Sequence, residues 1–127
     1  MMAKADIKYA GEAPSARLVR EADIRSTVED ALGRKIIVRK LSPLDRMRMN
    51  KAAGPDNSLN NPYMLYALVA YSTVSVDGDE LLIPQNEIHL EAHIGRLGKE
   101  GYDAALDEVL KFYRKAEEAE VVEAAKK

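Results

Sequence analysis

The chain has 127 residues, enough for one domain that buries roughly two-thirds of its extended surface. It contains no cysteine, which excludes a disulfide framework, a thiolate metal site and a cysteine nucleophile. Net charge is only −2, yet residues 17–51 carry ten Lys/Arg against five Asp/Glu and residues 76–123 carry five against thirteen; such polarity orients a partner, steers self-association or is neutralised within one fold.

Residues 1–24 are polar and Ala-rich, broken by Gly11 and Pro14, and hold no apolar period long enough to fill a core. A flexible N-terminal arm is expected there. Lys4, Asp6, Lys8, Glu12, Arg17 and Arg20 interrupt any apolar stretch of the kind a secretory signal needs, so export is not expected.

From Ser26 to Leu41 the pattern is that of a β-hairpin: Thr27 and Val28 lead into Asp30-Ala31-Leu32-Gly33, and the β-branched run Ile36-Ile37-Val38 follows. Gly33 supplies the positive φ that such a loop often needs. Ser42-Pro43-Leu44-Asp45 then starts a helix, with a hydroxyl cap, proline in the first turn and a carboxylate facing the helix dipole. Gly54-Pro55 ends it.

Asn61-Pro62 repeats that start, and the expected helix from Tyr63 to about Thr73 is apolar nearly all round, which predicts a central position. Its run from Tyr63 to Tyr71 is about half of the roughly 20 residues a membrane span requires, so no membrane partner is expected. A second hairpin is predicted around Asp77-Gly78, between Val74-Ser75-Val76 and Leu81-Leu82-Ile83, with Pro84 keeping the strands short.

Asn86 is placed to cap a third helix in which Leu90, Ile94 and Leu97 share a face and Gly98 marks the end. The last helix carries Tyr102, Leu106, Val109, Tyr113 and Ala116 on one face, with Asp107 and Lys111 paired at i, i+4. Residues 116–127 have high helix propensity but only Val121 and Val122 as large apolar groups, so a charged tail that frays or awaits a partner is expected. The sum is a small, mainly helical α+β domain over residues 25–115, with about four helices and two short β-hairpins between two loose ends.

Little in this sequence points to catalysis. His89 and His93 lie at i, i+4, a spacing zinc can bridge, but Glu91 falls about 200° around the helix from His89 and no third histidine exists. Two partly exposed histidines beside the Leu90/Ile94 face explain the pair as well. Arg34, Lys35, Arg39, Lys40, Arg46, Arg48 and Lys51 could meet phosphates as one patch, yet their spacing turns them to different faces, as edge-protecting charges would be. No phosphate-cradling glycine loop occurs. No catalytic, cofactor-binding or metal-binding residue is therefore assigned, and neither a cofactor nor nucleic acid is expected.

What remains is adaptable apolar surface: Met47, Met49 and Met64, with Tyr63, Tyr66 and Tyr71. Core filling accounts for any one of them, since the chain has a single Phe and no Trp. As a set they suit gripping varied apolar segments. The candidate client surface comprises Leu44, Met47, Met64, Leu68 and Tyr71.

Residues 33–110 resemble a type of bacteriophage tail assembly chaperone. The matching pieces are Gly33-Arg34, the run from Lys40 to Arg48 around Ser42-Pro43-Leu44-Asp45, Ala53-Gly54-Pro55, Asn61 with its apolar helix, Val76-Asp77-Gly78, Pro84, and Arg96-Leu97-Gly98-Lys99-Glu100-Gly101. The specificity lies in their succession, because each piece alone is only a cap, a turn or a stop. The resemblance implies a protein of the host bacterial cytoplasm that binds the long helical tape measure protein, keeps it soluble and helps recruit tail tube protein, and that is absent from the mature virion. It also implies no cofactor. Some such proteins have a frameshifted longer form, for which Lys126-Lys127 offers a place if the codons form a slippery run. Two other classes fit less well: a small virion component of neck or tail, and a helical DNA-binding regulator, for which the scattered arginines supply no evident recognition helix.

Overall fold

The computed structural model describes residues 13–16 and 24–126, with 115–126 described as backbone. The expected arm, residues 1–24, lies for the most part outside the described residues. The elements are β1 (Arg25–Glu29), β2 (Lys35–Arg39), α1 (Pro43–Ala53), α2 (Asn61–Ser72), β3 (Thr73–Val76), β4 (Asp79–Glu80) and α3 (Glu87–Lys126). Gly98 breaks α3 into segments 87–97 and 99–126, adopting φ 67° and ψ −174°. Among the described residues from 24 onward the architecture is thus a small α+β fold of four helical segments and two hairpins, as expected.

The two hairpins form one antiparallel sheet in the order β1-β2-β3-β4. Ile36 pairs with Val76 and Ile37 with Ser75 before the register shifts, which joins segments some forty positions apart. In the first turn the Gly33 N–H donates to the Asp30 carbonyl at 3.0 Å, and Gly33 takes φ 82°. The second turn has φ 52° at Asp77 and 89° at Gly78, the pair of positive values that a two-residue hairpin loop demands. Beyond it β4 is only two residues long. The Leu81 N–H still donates to the Val74 carbonyl at 2.9 Å, but Leu82 is 82% exposed, so the apolar triplet expected as a strand mostly leaves the sheet.

Ser42 caps α1 in a reciprocal box: the Asp45 N–H donates to the Ser42 hydroxyl at 3.1 Å, and the Ser42 N–H donates to the Asp45 carboxylate at 3.0 Å. Gly54 closes α1 with φ 87°. The cap of α2 is Asn60 rather than Asn61; its side-chain oxygen accepts from the Tyr63 N–H at 3.2 Å, which leaves Asn61 and Pro62 in the first turn, where proline's missing N–H is no loss. Asn86 caps α3 by accepting from the His89 N–H at 3.0 Å. The α3 backbone stays helical to Lys126, past the Lys115 boundary expected for the domain.

Two buried clusters lie on either side of α2. One gathers Leu41, Met49, Ala52, Ala53, Ala67, Ala70, Tyr71 and Leu90 between α1, α2 and α3. The other gathers Ile36, Val38, Val69, Val76, Leu97, Ala105 and Val109 between the sheet, α2 and α3. Leu68 and Ile94 pack against both. An all-round apolar helix is what such a position requires, and α2 fills it.

Candidate interaction surfaces

Four neighbouring residues on α1 turn away from both clusters. Leu44, Met47, Arg48 and Lys51 recur at i, i+3, i+4 and i+7 and are all exposed, Leu44 by 52% and Met47 by 69%. The opposite face holds the buried Met49, Ala52 and Ala53. The outer face of α1 is therefore an apolar pair flanked by two cations.

The other residues singled out from the sequence do not join that pair. Met64 is half-buried against the first cluster, and Leu68 bridges both clusters. Tyr71 is 3% exposed and packs in the first cluster, with Arg39 5.5 Å from its ring centre. A short, fully apolar helix must fill the interior before it can offer a surface, and sequence alone does not show which of its faces is left over.

The face left over lies further round α2. Tyr63, Tyr66 and Ala67 meet Leu90, Glu91 and Ile94 of α3 across a concavity of about 260 Å³ whose lining is almost wholly apolar. Ala67 contributes only a methyl group to this lining, beside the two tyrosines. Tyr66 remains 48% exposed and stacks on Tyr102 with ring centres 4.8 Å apart. The break at Gly98 redirects α3 so that Tyr102 can reach this position.

The rim is acidic. The Tyr63 hydroxyl donates to the Glu91 carboxylate at 3.3 Å. Burial, then the neighbouring Glu91 and Glu87 carboxylates, push the Tyr63 phenol above its ordinary value, so it stays a neutral donor. Burial, followed by Tyr66 and Asp103, acts likewise on Tyr102. Neither Glu87 nor Glu91 has an ion-pair partner among the described residues.

A second hollow of about 340 Å³ lies between α1 and the segment after β4, lined by Arg48, Lys51, Ala52, Tyr71, Ile83, Pro84 and Gln85. Polar and apolar walls alternate there. The sequence pattern places Leu90 and Ile94 on a core face and gives no sign that Ile94 also opens onto a groove.

The two histidines do structural work. His89 Nδ1 accepts from the Gln85 N–H at 3.0 Å, and His93 Nε2 lies 2.6 Å from the Leu82 carbonyl oxygen, so both imidazoles hold residues 82–85 against α3. Among the described residues no group of three or more His, Cys, Asp or Glu side chains could hold a metal ion.

Several arginines of the basic stretch are also engaged. Arg34 binds the Asp30 carboxylate and the Arg96 and Leu97 carbonyls, Arg39 pairs with Asp45 at 3.0 Å, and Arg46 lies 4.6 Å from the Tyr113 ring centre. No helix among the described residues is long and apolar enough to cross a membrane. Comparison with protein-family models, with curated proteins and with solved structures finds no match.

Proposed function

We propose that this chain is a phage tail assembly chaperone that acts by binding: it covers apolar helical faces of the tape measure protein in the host cytoplasm, keeps that client soluble and promotes assembly of tail tube protein around it. The reading rests on the succession of motifs over residues 33–110, and one structural observation supports it. The groove between α2 and α3 is concave, apolar and open, with Tyr63 and Tyr66 as amphipathic walls and Ala67 and Ile94 as its floor.

An unassembled tape measure protein exposes long apolar stripes, and laying one in such a groove removes it from water without cofactor or chemistry. Burying two or three large side chains of the client contributes several kcal/mol before ordering costs, at roughly 1.5–3 kcal/mol each. That is enough for a reversible hold and too little for permanent capture, as a factor that leaves the finished particle requires.

The test is co-expression with the long helical protein encoded nearby, followed by pull-down and measurement of soluble client. The expected result is that client stays soluble only with this chain, and that Tyr66→Asp, at an exposed position in the groove, abolishes the effect while circular dichroism stays unchanged. A client that is soluble alone and never co-purifies would refute the proposal. Leu68→Asp is unsuited to this test because Leu68 packs into both clusters.

A further inference from the structure

We infer that the hollow between α1 and residues 83–85 is a binding site for the carboxylate of an apolar peptide segment, held by Arg48, Lys51 and the Tyr71 hydroxyl. The hollow measures about 340 Å³, a size that encloses a small group, and its lining contains two cations and no carboxylate. Arg48 and Lys51 stand one turn apart on α1, both exposed, and neither has an ion-pair partner among the described residues. The Glu87 carboxylate stands by Gly54 at the end of α1 and takes no part in this lining. Like charges three positions apart on a helix repel, so an anion placed between them relieves that repulsion and gains charge-assisted hydrogen bonds.

Tyr71 is an observation independent of these charges. It lines the hollow, is only 3% exposed, and its hydroxyl has no hydrogen-bond partner among the described residues. A hydroxyl withdrawn from water and left unpaired costs free energy, which an acceptor in the hollow would recover. Burial, then the Asp45 carboxylate, push the Tyr71 phenol above its ordinary value against the Arg39 and Arg48 cations, so it remains a neutral donor. A guanidinium, an ammonium and a phenol O–H are all donors, and an ionised carboxylate offers acceptor positions only.

The remaining walls define what carries the anion. Ala52, Ile83 and Pro84 are apolar, which favours a carboxylate on a hydrocarbon body over a bare inorganic anion. Leu44 and Met47 continue the Arg48/Lys51 face of α1 beyond the hollow and give an exposed apolar footing to the chain that leads into it. Both sides of the hollow are held in advance: Met49, Ala52 and Ala53 fix α1 in the core, and His89 Nδ1 accepts from the Gln85 N–H at 3.0 Å. Binding therefore orders little of the protein. No residue lines both this hollow and the α2/α3 groove, so the site stands apart from the proposed client groove.

The test is a titration of the full chain followed by its amide chemical shifts, with three probes: acetyl-Leu-Leu bearing a free carboxylate, the same peptide amidated, and amidated acetyl-Glu-Leu. The free acid should shift residues 48–52, 71 and 83–85 saturably and more weakly as salt is added, and the amidated dileucine should not. Whichever carboxylate probe binds more tightly identifies a chain end or an acidic side chain as the natural source. Arg48→Met should weaken binding about tenfold or more, and Tyr71→Phe about threefold to tenfold. Arg48 is exposed and the Tyr71 hydroxyl has no partner, so both variants should keep the parent's circular dichroism. Equal binding of acid and amide, no saturable shift at these positions with either carboxylate, or affinities that both variants leave unchanged would overturn the inference. Inorganic phosphate binding as tightly as the peptide acid would also overturn it, by showing that the apolar walls select nothing. No client takes part, so this outcome and that of the client assay are read separately.

Discussion

Arg34 links three parts of the molecule through one side chain. Its Nε donates to Asp30 at 2.8 Å, and its terminal nitrogens donate to the Leu97 and Arg96 carbonyls at 2.6 and 3.1 Å, where α3 breaks and leaves helix-end acceptors unpaired. Gly101 makes room for it: a Cβ there would stand 2.9 Å from Arg34 Nη2. Replacing a helical glycine by alanine normally stabilises by about 1 kcal/mol, whereas breaking a charge-assisted hydrogen bond costs about 1.5–3 kcal/mol. The second effect is the larger, so Gly101→Ala should destabilise by about 1 kcal/mol, and by less in an Arg34→Ala background, where only the Leu97 side chain at 3.2 and 3.3 Å still crowds the new methyl; urea denaturation of the four chains reads the difference.

Two carboxylates make stability depend on acid. Burial pushes the Asp30 carboxyl up, but hydrogen bonds from Arg34 and Leu32 and the Arg34 charge outweigh it and hold it below the ordinary range. At Asp45 burial is likewise outweighed by the Ser42 hydrogen bonds and the Arg39 charge. Groups lowered by folding contribute stability that is fully present above the unfolded aspartate value of about 3.9 and is lost as pH falls through the lower folded value. Asp45→Asn should therefore lower Tm at neutral pH, and the difference from the parent should shrink below about pH 4. A difference independent of pH would mean that packing, rather than charge, is what the asparagine disturbs.

Among the elements, those with local causes were the ones legible in the sequence. The Ser42 cap, the Gly54 stop, the Gly33 and Asp77-Gly78 turns and the Asn86 cap all depend on residues within four positions, and each formed as its chemistry required. The α2 start moved by one residue because two adjacent asparagines could cap, and only the Asn60 side chain faces the Tyr63 N–H. The expected strand at Leu81-Leu82-Ile83 mostly failed because its pairing competes with the histidine contacts that draw residues 82–85 onto α3, which neighbouring sequence does not disclose.

Gly98 belongs to this scale as well. Its φ and ψ fall in a region essentially reserved for glycine, and nothing lies within 4 Å of where a methyl group would stand, so any cost of substitution is in the backbone. Gly98→Ala should destabilise by about 1–3 kcal/mol in thermal unfolding. It should also disturb the Tyr66–Tyr102 contact, visible as a changed tyrosine near-ultraviolet signal.

Over the whole molecule, what the sequence left open was which apolar residues are interior and which are surface. Leu44 and Tyr71 look equally suitable as contacts when only their side chains are compared; one is exposed and the other buried, because α1 sits on the edge of the first cluster and α2 runs between both. That distinction is a property of packing among α1, α2 and α3, and no single periodicity carries it. Because Leu68 and Ile94 touch both clusters, the two should not melt separately. Leu68→Ala should cost about 2–4 kcal/mol, and far-ultraviolet dichroism and tyrosine fluorescence should still report one shared transition. Separate midpoints would show two independent units instead.

The pairing of Ile36 with Val76 has a kinetic consequence. Both hairpins and each helical turn can close within microseconds because their partners are near in sequence. The sheet cannot, since β2 meets β3 only after α1, the linker and α2 have been laid down between them, and the entropy of closing that long loop must be spent before any contact across it is gained. A nascent chain thus holds a finished first hairpin with an apolar, unpaired β2 edge until residue 76 has left the ribosome. The sequence meets that interval with charge: Lys35 and Arg39 bracket the strand, and like charges at both ends keep one waiting strand from annealing to another.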